Sequence, residues 1–230
     1  MCSIGQRLEQ GPVCSTAGVA PAASRGWLRI VAPASQASTL PKSSSQSPPS
    51  ARPRANFRVG DLEALPWLED SFDVVTGFSS FQFADDKVRA FTEARRVSRG
   101  LVAVVIPSRV SESGIAAVFK PLFPLFPPEA LESMKHSGMF ALSEPGKLEE
   151  VLAAAGLTVD EDDEIESLII FDDAAGAVRA FVGAGPTALA IGHSGELAVT
   201  QAVREALGPF TGTDGRVTLP AYYRVVIARA

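Results

Sequence analysis

The sequence predicts an α/β fold for residues 55–230, a sheet flanked by helices, preceded by an irregular segment over residues 1–54. Three observations lead to this prediction. After residue 55, apolar runs of strand length alternate with helical patterns, as in layered α/β proteins. The first 54 residues contain ten serines and seven of the 17 prolines but only one of the 17 aromatic residues. The net charge of −5 divides into about +5 before residue 55 and −10 after it.

Five strands are predicted from short runs rich in β-branched or other apolar residues. The run Leu101–Ile106 is apolar throughout, which is typical of a parallel strand covered on both faces of its sheet. In chain order the predicted strands are Phe57–Val59, Ser71–Gly77, Leu101–Ile106, Glu164–Phe171 and Tyr222–Ala228.

Helices are predicted between these strands from apolar residues at helical spacing. The first is expected to run from a cap at Asp85 to about Ser98. The second is expected to open at Pro145 and to end at Gly156. The third is predicted over residues 174–182.

A fourth helix is expected to start at a cap on Ser194, to direct Leu197 inward, and to end at Gly208. Between the strands and the second helix lies an aromatic, proline-interrupted insertion over residues 111–140. We expect its phenylalanines to belong to the core rather than to a binding pocket.

Three interpretations of residues 1–54 stay open. One is a disordered tail, because so few apolar side chains cannot offset the entropy of ordering the chain. Another is an organelle transit peptide, since the segment is rich in serine and arginine and poor in acidic residues. In the third, residues 12–53 are an out-of-frame reading. With free choice of wobble bases, the shifted frame can encode a strand, a D-x-G-C-G-x-G turn, a helix and a strand ending in Asp.

Composition and motifs exclude several function classes. No apolar run approaches the ~20 residues that span a bilayer. A net charge of −5 argues against nucleic-acid and anionic-membrane partners. Two cysteines in 230 residues indicate a reducing compartment, and we expect a cytoplasmic protein. Two histidines are too few to predict a metal site.

The most specific signal is the run Gly60–Phe83, G-D-L-E-A-L-P-W-L-E-D-S-F-D-V-V-T-G-F-S-S-F-Q-F. It resembles the class I S-adenosylmethionine (SAM)-dependent methyltransferases of the small-molecule type, the methyltransferase type 11-like proteins. The motif E-A-R-R-V at Glu93–Val97 is similar to the helix of that family's next βαβ unit, and the resemblance extends over about 175 residues. It implies an antiparallel strand near Tyr222–Ala228, SAM as the cofactor and a small molecule as the methyl acceptor.

The resemblance also implies a cofactor site. Asp61 would meet the adenine amino group, and Leu62 would offer its backbone N–H to the adenine ring. Gly77, Phe78 and Ser79 would line the methyl-transfer site. The residues alone also allow purely structural roles. Asp61 can cap a turn, Leu62 can pack in the core, and Gly77, Phe78 and Ser79 can form a tight turn after the strand. No catalytic residue is predicted, because methyl transfer needs a general base only where the acceptor must lose a proton.

The chain departs from the family at its start. The D-x-G-x-G-x-G loop, and the acidic residue that ends the second strand, are missing from residues 1–54. Both occur only in the shifted frame, 23 residues apart, near the ~20 of a dinucleotide-binding fingerprint. The sequence therefore predicts an incomplete Rossmann-like methyltransferase sheet and weak SAM binding. A non-catalytic remnant or interaction protein and a nucleotide-dependent oxidoreductase stay open, although no Tyr-x-x-x-Lys pair supports the oxidoreductase.

Overall fold

The computed structural model describes residues 14–18, 27–33 and 55–230. Within these residues the strands form one seven-stranded sheet. The strands are β1 (Cys14–Gly18), β2 (Trp27–Pro33), β3 (Ala55–Asp61), β4 (Val74–Phe78), β5 (Leu101–Pro107), β6 (Thr158–Phe171) and β7 (Val217–Arg229). Their order across the sheet is β3-β2-β1-β4-β5-β7-β6.

Most of the sheet runs in one direction. Strands β1, β4 and β5 pair in parallel, and β3 shares their direction because β2 lies antiparallel between β3 and β1. Strand β7 is antiparallel to both β5 and β6, which confirms the expectation for the final strand. The carboxyl ends of β1, β3, β4 and β5 therefore lie at the same edge of the sheet, and open α/β sheets bind ligands at this edge.

Strands β1 and β2 lie within the segment that is predicted to be irregular. Residues 14–18 and 27–33 pair within the sheet, and the rest of the segment lies outside the described residues. Strand β1 lies between β2 and β4 in the sheet order. The division at residue 54 and the out-of-frame interpretation stay predictions.

The direction of β2 follows from chain length. Only eight residues separate Gly18 from Trp27. A crossover that returns the chain to a parallel strand takes a dozen or more residues, usually including a helix. Eight residues are too few for this connection, so β2 pairs antiparallel with β1.

Seven α-helices occur in the described residues, with single-turn or short 3₁₀ segments over 81–83, 120–125 and 208–210. The α-helices are α1 (Lys87–Val97), α2 (Gly114–Phe119), α3 (Pro128–Ser137), α4 (Lys147–Ala154), α5 (Ala174–Val182), α6 (Gly185–Ser194) and α7 (Glu196–Leu207). Every predicted helix has a counterpart among them. The aromatic insertion supplies α2 and α3, which were not predicted.

Several helix starts differ from the prediction by one or two residues. Asp86, not Asp85, caps α1 by accepting a 2.9 Å hydrogen bond from the Arg89 N–H. Helix α4 begins at Lys147, after Gly146 takes a φ of 80°. A proline was expected to open this helix, but a left-handed glycine cap does so.

The predicted helix start at Ser194, with Leu197 directed into the core, is wrong. Ser194 is the last residue of α6, and α7 begins after Gly195, whose φ of 85° turns the chain between the two helices. This start rotates the apolar face so that Leu197 is 83% exposed, whereas Val199 and Val203 are buried.

The buried apolar residues form two clusters. The first packs α1 and α4 against the parallel part of the sheet, with Phe91 and Leu152 fully buried. The second packs α5, α7 and the aromatic insertion around Leu219 of β7. Phe126 is buried in this second cluster and Phe119 packs against it, as expected for core residues.

Within the described residues, no single helix is long and apolar enough to cross a membrane. The pair α5 and α6 passes by combined length and composition but is bent by 81°. Both helices bury residues in the second cluster, including Ala177, Phe181 and Ala190.

Arg224 on β7 joins two neighbouring elements. Its guanidinium donates to both carboxylate oxygens of Asp162 on β6, with Nε 2.9 Å from Oδ1, and to Glu149 Oε1 on α4. These hydrogen bonds hold the pKa of both carboxyl groups below their ordinary values. A carboxyl group with a lowered folded-state pKa stabilises the fold above its unfolded pKa, and this contribution is lost as the pH falls.

We expect Arg224→Met to lower the free energy of unfolding at pH 7 by about 1–2 kcal/mol, because two carboxylates lose a charged donor. The difference from the parent chain should shrink between about pH 5 and pH 2, where protonation removes the same stabilisation from the parent. Urea unfolding between pH 7 and pH 2 measures this difference in unfolding free energy. The control is Arg229→Met, which breaks a more exposed ion pair with Asp160 and should cost less. A difference undiminished at pH 2 would contradict this account.

Candidate functional site

The five predicted site residues lie at one edge of the sheet. Asp61 is the last residue of β3, and Phe78 is the last residue of β4. These strands point the same way and are separated by β2 and β1. Three strand spacings of ~4.8 Å place the two strand ends about 14 Å apart. This distance suits an elongated ligand that crosses the ends of the central strands.

Asp61 and Leu62 have the local structural roles that the residues alone allowed. Asp61 is exposed, and its Oδ1 accepts a 2.9 Å hydrogen bond from the Glu63 N–H, which caps the turn after β3. Among the described residues no other hydrogen bond to this carboxylate occurs. Leu62 is 4% exposed and belongs to the first core cluster. The Asp61 carboxylate is therefore available to a ligand, whereas the Leu62 side chain serves the core.

Gly77, Phe78 and Ser79 form the end of β4 and the turn after it. Gly77 is buried and pairs with β1 and β5, while Phe78 is 52% exposed. Ser79 takes a φ of 45°, which is uncommon for a residue other than glycine, and its N–H donates to the Val105 carbonyl at 2.8 Å. Strained backbone of this kind clusters at functional sites.

A pair of charged residues on α1 fastens the loop that follows Asp61. Glu93 Oε2 accepts the Leu65 N–H at 2.9 Å, and Arg96 donates to the carbonyls of Leu65 and Trp67 at 3.0 and 2.8 Å. The two side chains also form an ion pair, in which Arg96 Nε donates to Glu93 Oε1 at 2.7 Å. This hydrogen bond holds the pKa of Glu93 below its ordinary value. The sequence showed E-A-R-R-V only as part of the resemblance and gave no signal of this contact.

We expect Arg96→Met to lower the free energy of unfolding by about 1–2 kcal/mol, because two loop carbonyls and the Glu93 carboxylate lose their donor. Thermal unfolding measures this change. The control is Arg204→Met, which removes an exposed arginine from α7 for which the described residues show no ion pair. Equal midpoints for the two variants would show that the contacts of Arg96 contribute nothing.

A cavity of about 240 Å³ opens beside Ser79. Its walls come from the ends of β4 and β5, the start of β7 and the aromatic insertion, so four separate segments meet there. The lining residues are Ser79, Phe83, Pro107, Ser113, Ile115, Met139, Phe140, Ala221, Tyr222 and Tyr223.

The cavity divides the phenylalanines of the insertion. Phe140 lines the cavity, contrary to the expectation that the insertion's aromatic residues all belong to the core, whereas Phe126 lies in the core.

Like Ser79, Arg109 after β5 takes an uncommon positive φ, of 41°, and its guanidinium lies 5.0 Å from the centre of the Tyr222 ring. Both strained non-glycine residues that follow parallel strands therefore adjoin this cavity.

No group of three or more His, Cys, Asp or Glu residues is placed to hold a metal ion in the part of the chain that the structure describes. Beside the cavity, Arg109 pairs with Glu164 at 2.5 Å. The site therefore has the Asp61 carboxylate at one end and the apolar cavity beside Ser79 at the other. The carboxyl ends of the central strands lie between them.

The model of the family described as "Methyltransferase domain" matches residues 13–104. This part of the chain is therefore similar to a methyltransferase domain. The matched residues include β1 to β4, the first four residues of β5, all five predicted site residues and the Glu93–Arg96 pair, and they cross the predicted division at residue 54. The antiparallel β7 agrees with the strand that the resemblance to class I methyltransferases implies.

Several solved structures are similar to this chain. A protein assigned as a methyltransferase from Bacillus halodurans is 15% identical, with 74% of this chain and 75% of that chain covered and a TM-score of 0.43. The YcgJ protein from Bacillus subtilis is 19% identical, with 74% and 68% covered and a TM-score of 0.44. A protein assigned as a type II methyltransferase from Anaeromyxobacter dehalogenans is 21% identical, with 77% and 72% covered and a TM-score of 0.44. Comparison with the curated proteins gives no match.

Proposed function

We propose that this chain is a SAM-dependent methyltransferase that acts on a small molecule. The observation that carries the proposal is the cavity beside Ser79, at the same sheet edge as the Asp61 carboxylate. Open α/β sheets hold a cofactor at this edge, and an adjoining cavity of about 240 Å³ offers room for a small acceptor.

The described residues fit SAM at both ends of the proposed site. The exposed Asp61 carboxylate would accept a hydrogen bond from the adenine amino group, and the Leu62 backbone would lie against the adenine ring. At the other end, the backbone of Gly77, Phe78 and Ser79 would face the methyl-bearing part. SAM, when bound, supplies a methyl group on a sulfonium, which passes to an acceptor lone pair as the sulfur keeps the electrons of the broken bond.

The residues of the chain contribute mainly alignment and exclusion of water. Phe83, Phe140 and Tyr222 hold an acceptor against the end of β4, and their apolar rings keep bulk water away from it. Positioning of two reactants at contact distance accounts for several kcal/mol of the barrier in displacement reactions. Among the described residues that line the cavity no carboxylate or imidazole occurs.

We also propose that the chain as written binds SAM weakly. The eight residues between β1 and β2 leave no length for a Gly-rich turn followed by a crossover helix, which the family uses for the methionine and ribose parts. The same observation favours a second candidate, a non-catalytic remnant with a methyltransferase fold. A cytoplasmic location, without nucleic-acid or membrane partners, is part of the proposal and is supported by the net charge of −5.

Binding of SAM tests the proposal. Saturation-transfer NMR of the chain with SAM is expected to show weak contact that S-adenosylhomocysteine displaces and NADH does not. Displacement by NADH alone would favour the oxidoreductase. No contact at millimolar SAM would favour the remnant.

Asp61→Asn separates the two roles of Asp61. The asparagine Oδ1 still accepts the Glu63 N–H, so the turn and the unfolding midpoint should stay unchanged. The second carboxylate oxygen becomes an NH₂ donor, which cannot accept from the adenine amino group. We expect the SAM signal to fall at least tenfold, because a contact of about 1.4 kcal/mol or more is lost. Unchanged SAM contact in this variant would remove Asp61 from the site.

A further inference from the structure

Aromatic rings from separate segments line the cavity beside Ser79. Phe83 follows β4, Phe140 follows α3, and Tyr222 and Tyr223 lie on β7. Rings on several walls favour a flat apolar ligand, because ring–ring contacts gain both buried area and favourable edge or face geometry. The volume of about 240 Å³ lies below the ~300–1,000 Å³ of pockets for drug-sized ligands. The space therefore suits a single substituted ring.

None of the described residues that line the cavity carries a charge at neutral pH. Arg109 lies behind the Tyr222 ring, but its guanidinium is paired with Glu164 at 2.5 Å and lies 3.7 Å from Glu112. An ion that entered the cavity would lose its hydration without gaining an unpaired counter-charge. A neutral ligand avoids this cost.

The cavity also offers neutral hydrogen-bonding groups. The hydroxyl groups of Ser79, Tyr222 and Tyr223 have no hydrogen-bond partner among the described residues. The Ser113 hydroxyl differs, because it accepts the Ala116 N–H at 3.5 Å as the cap of α2. Hydroxyl groups both donate and accept, so they can bind one uncharged polar substituent of a ring.

We infer that the methyl acceptor is an uncharged molecule built on a single aromatic ring with one polar substituent, and that the cavity discriminates against charged analogues. The identity of this ligand as the acceptor rests on the proposed function. The preference for a neutral ring rests on the cavity alone.

Three para-substituted toluenes of similar size test the preference: 4-methylphenol, which is neutral at pH 7, the anion 4-methylbenzoate, and the cation 4-methylbenzylammonium. Dissociation constants are measured on the full chain by ligand-observed NMR. We expect 4-methylphenol to bind at least tenfold more tightly than either ion. Equal or tighter binding of an ion, or no binding of 4-methylphenol, would overturn the inference.

Two phenylalanines of the insertion locate the binding. Phe140→Ala removes a wall of the cavity and should weaken 4-methylphenol binding at least fivefold. The matched control is Phe123→Ala, which truncates a 43% exposed ring that does not line the cavity, and should change binding less than twofold. Equal effects of both variants would place the probe elsewhere and overturn the inference.

The failure of this inference and the failure of the proposed function give different results. SAM binding without preference for 4-methylphenol leaves the proposed function standing and overturns the inference. Selective binding of 4-methylphenol without any SAM binding keeps the neutral ring site and removes its role as an acceptor site.

Discussion

Restoring residues 12–53 to the shifted reading frame is expected to raise the affinity for SAM at least a hundredfold. The restored chain regains the D-x-G-C-G-x-G turn and the acidic end of the second strand, which hold the methionine and ribose parts of SAM in the resembling family. Two hydrogen bonds of ~1–3 kcal/mol each are enough for this gain, because each 1.4 kcal/mol is tenfold in affinity.

The structure adds a physical reason to expect this gain. Strand β2 is antiparallel to β1, with eight residues between them, whereas a Gly-rich turn and helix need a crossover of a dozen or more residues. A helix whose N-terminus points at the ligand supplies backbone N–H groups that a short connection cannot supply. The restored chain has room for this helix and for a parallel β2.

Calorimetric titration of both chains with SAM measures the difference. The control is the restored chain with the acidic residue at the end of its second strand changed to alanine, which should lose about tenfold of the gained affinity. Comparable micromolar binding by the chain as written and the restored chain would refute the out-of-frame account. It would also require a cofactor site within residues 1–54.

The elements predicted well are those fixed by local signals. The helix over residues 174–182 was predicted with the observed bounds, because Asp173 caps it through the Gly176 N–H and Gly183 ends it. Where two helix-boundary signals are adjacent, at Ser194 and Gly195, the predicted start of the helix is wrong. Ser194 was interpreted as a cap, but Gly195 with its φ of 85° makes the actual break.

Elements that depend on partners distant in sequence could not be predicted. Strand β2, W-L-R-I-V-A-P, has an apolar and β-branched run that was not used as a strand signal because the segment around it is rich in serine and proline, and it pairs along its whole length with β3. The cavity is similar, because Ser79, Phe140 and Tyr222 are far apart in sequence and meet only through the sheet order. The five predicted site residues were found because they lie within one continuous motif.

Gly77→Ala is expected to destabilise the fold by about 1–3 kcal/mol, the usual cost of overpacking a filled site. A Cβ at residue 77 would overlap the Phe81 ring and lie 2.8 Å from Ser80 Oγ. Phe81 cannot move aside easily, because it is 1% exposed and stacks on Phe91 with ring centres 4.2 Å apart. For a chain of this size the unfolding midpoint should fall by about 2–12 °C.

A second substitution shows whether the clash is the cause. Phe81→Leu in the Gly77→Ala background removes ring atoms that the new Cβ would meet, so the two substitutions together should cost less than the sum of their separate costs. The control is Gly192→Ala, because a Cβ at this helical residue meets no atom within 4 Å. That control should leave the midpoint unchanged or raise it slightly, since alanine favours a helix over glycine by ~1 kcal/mol. If Gly77→Ala left the unfolding midpoint as unchanged as Gly192→Ala does, the turn after β4 would have room for a Cβ that the packing of Phe81 excludes. The end of β4 would then not be the rigid wall that the proposed methyl-transfer site requires.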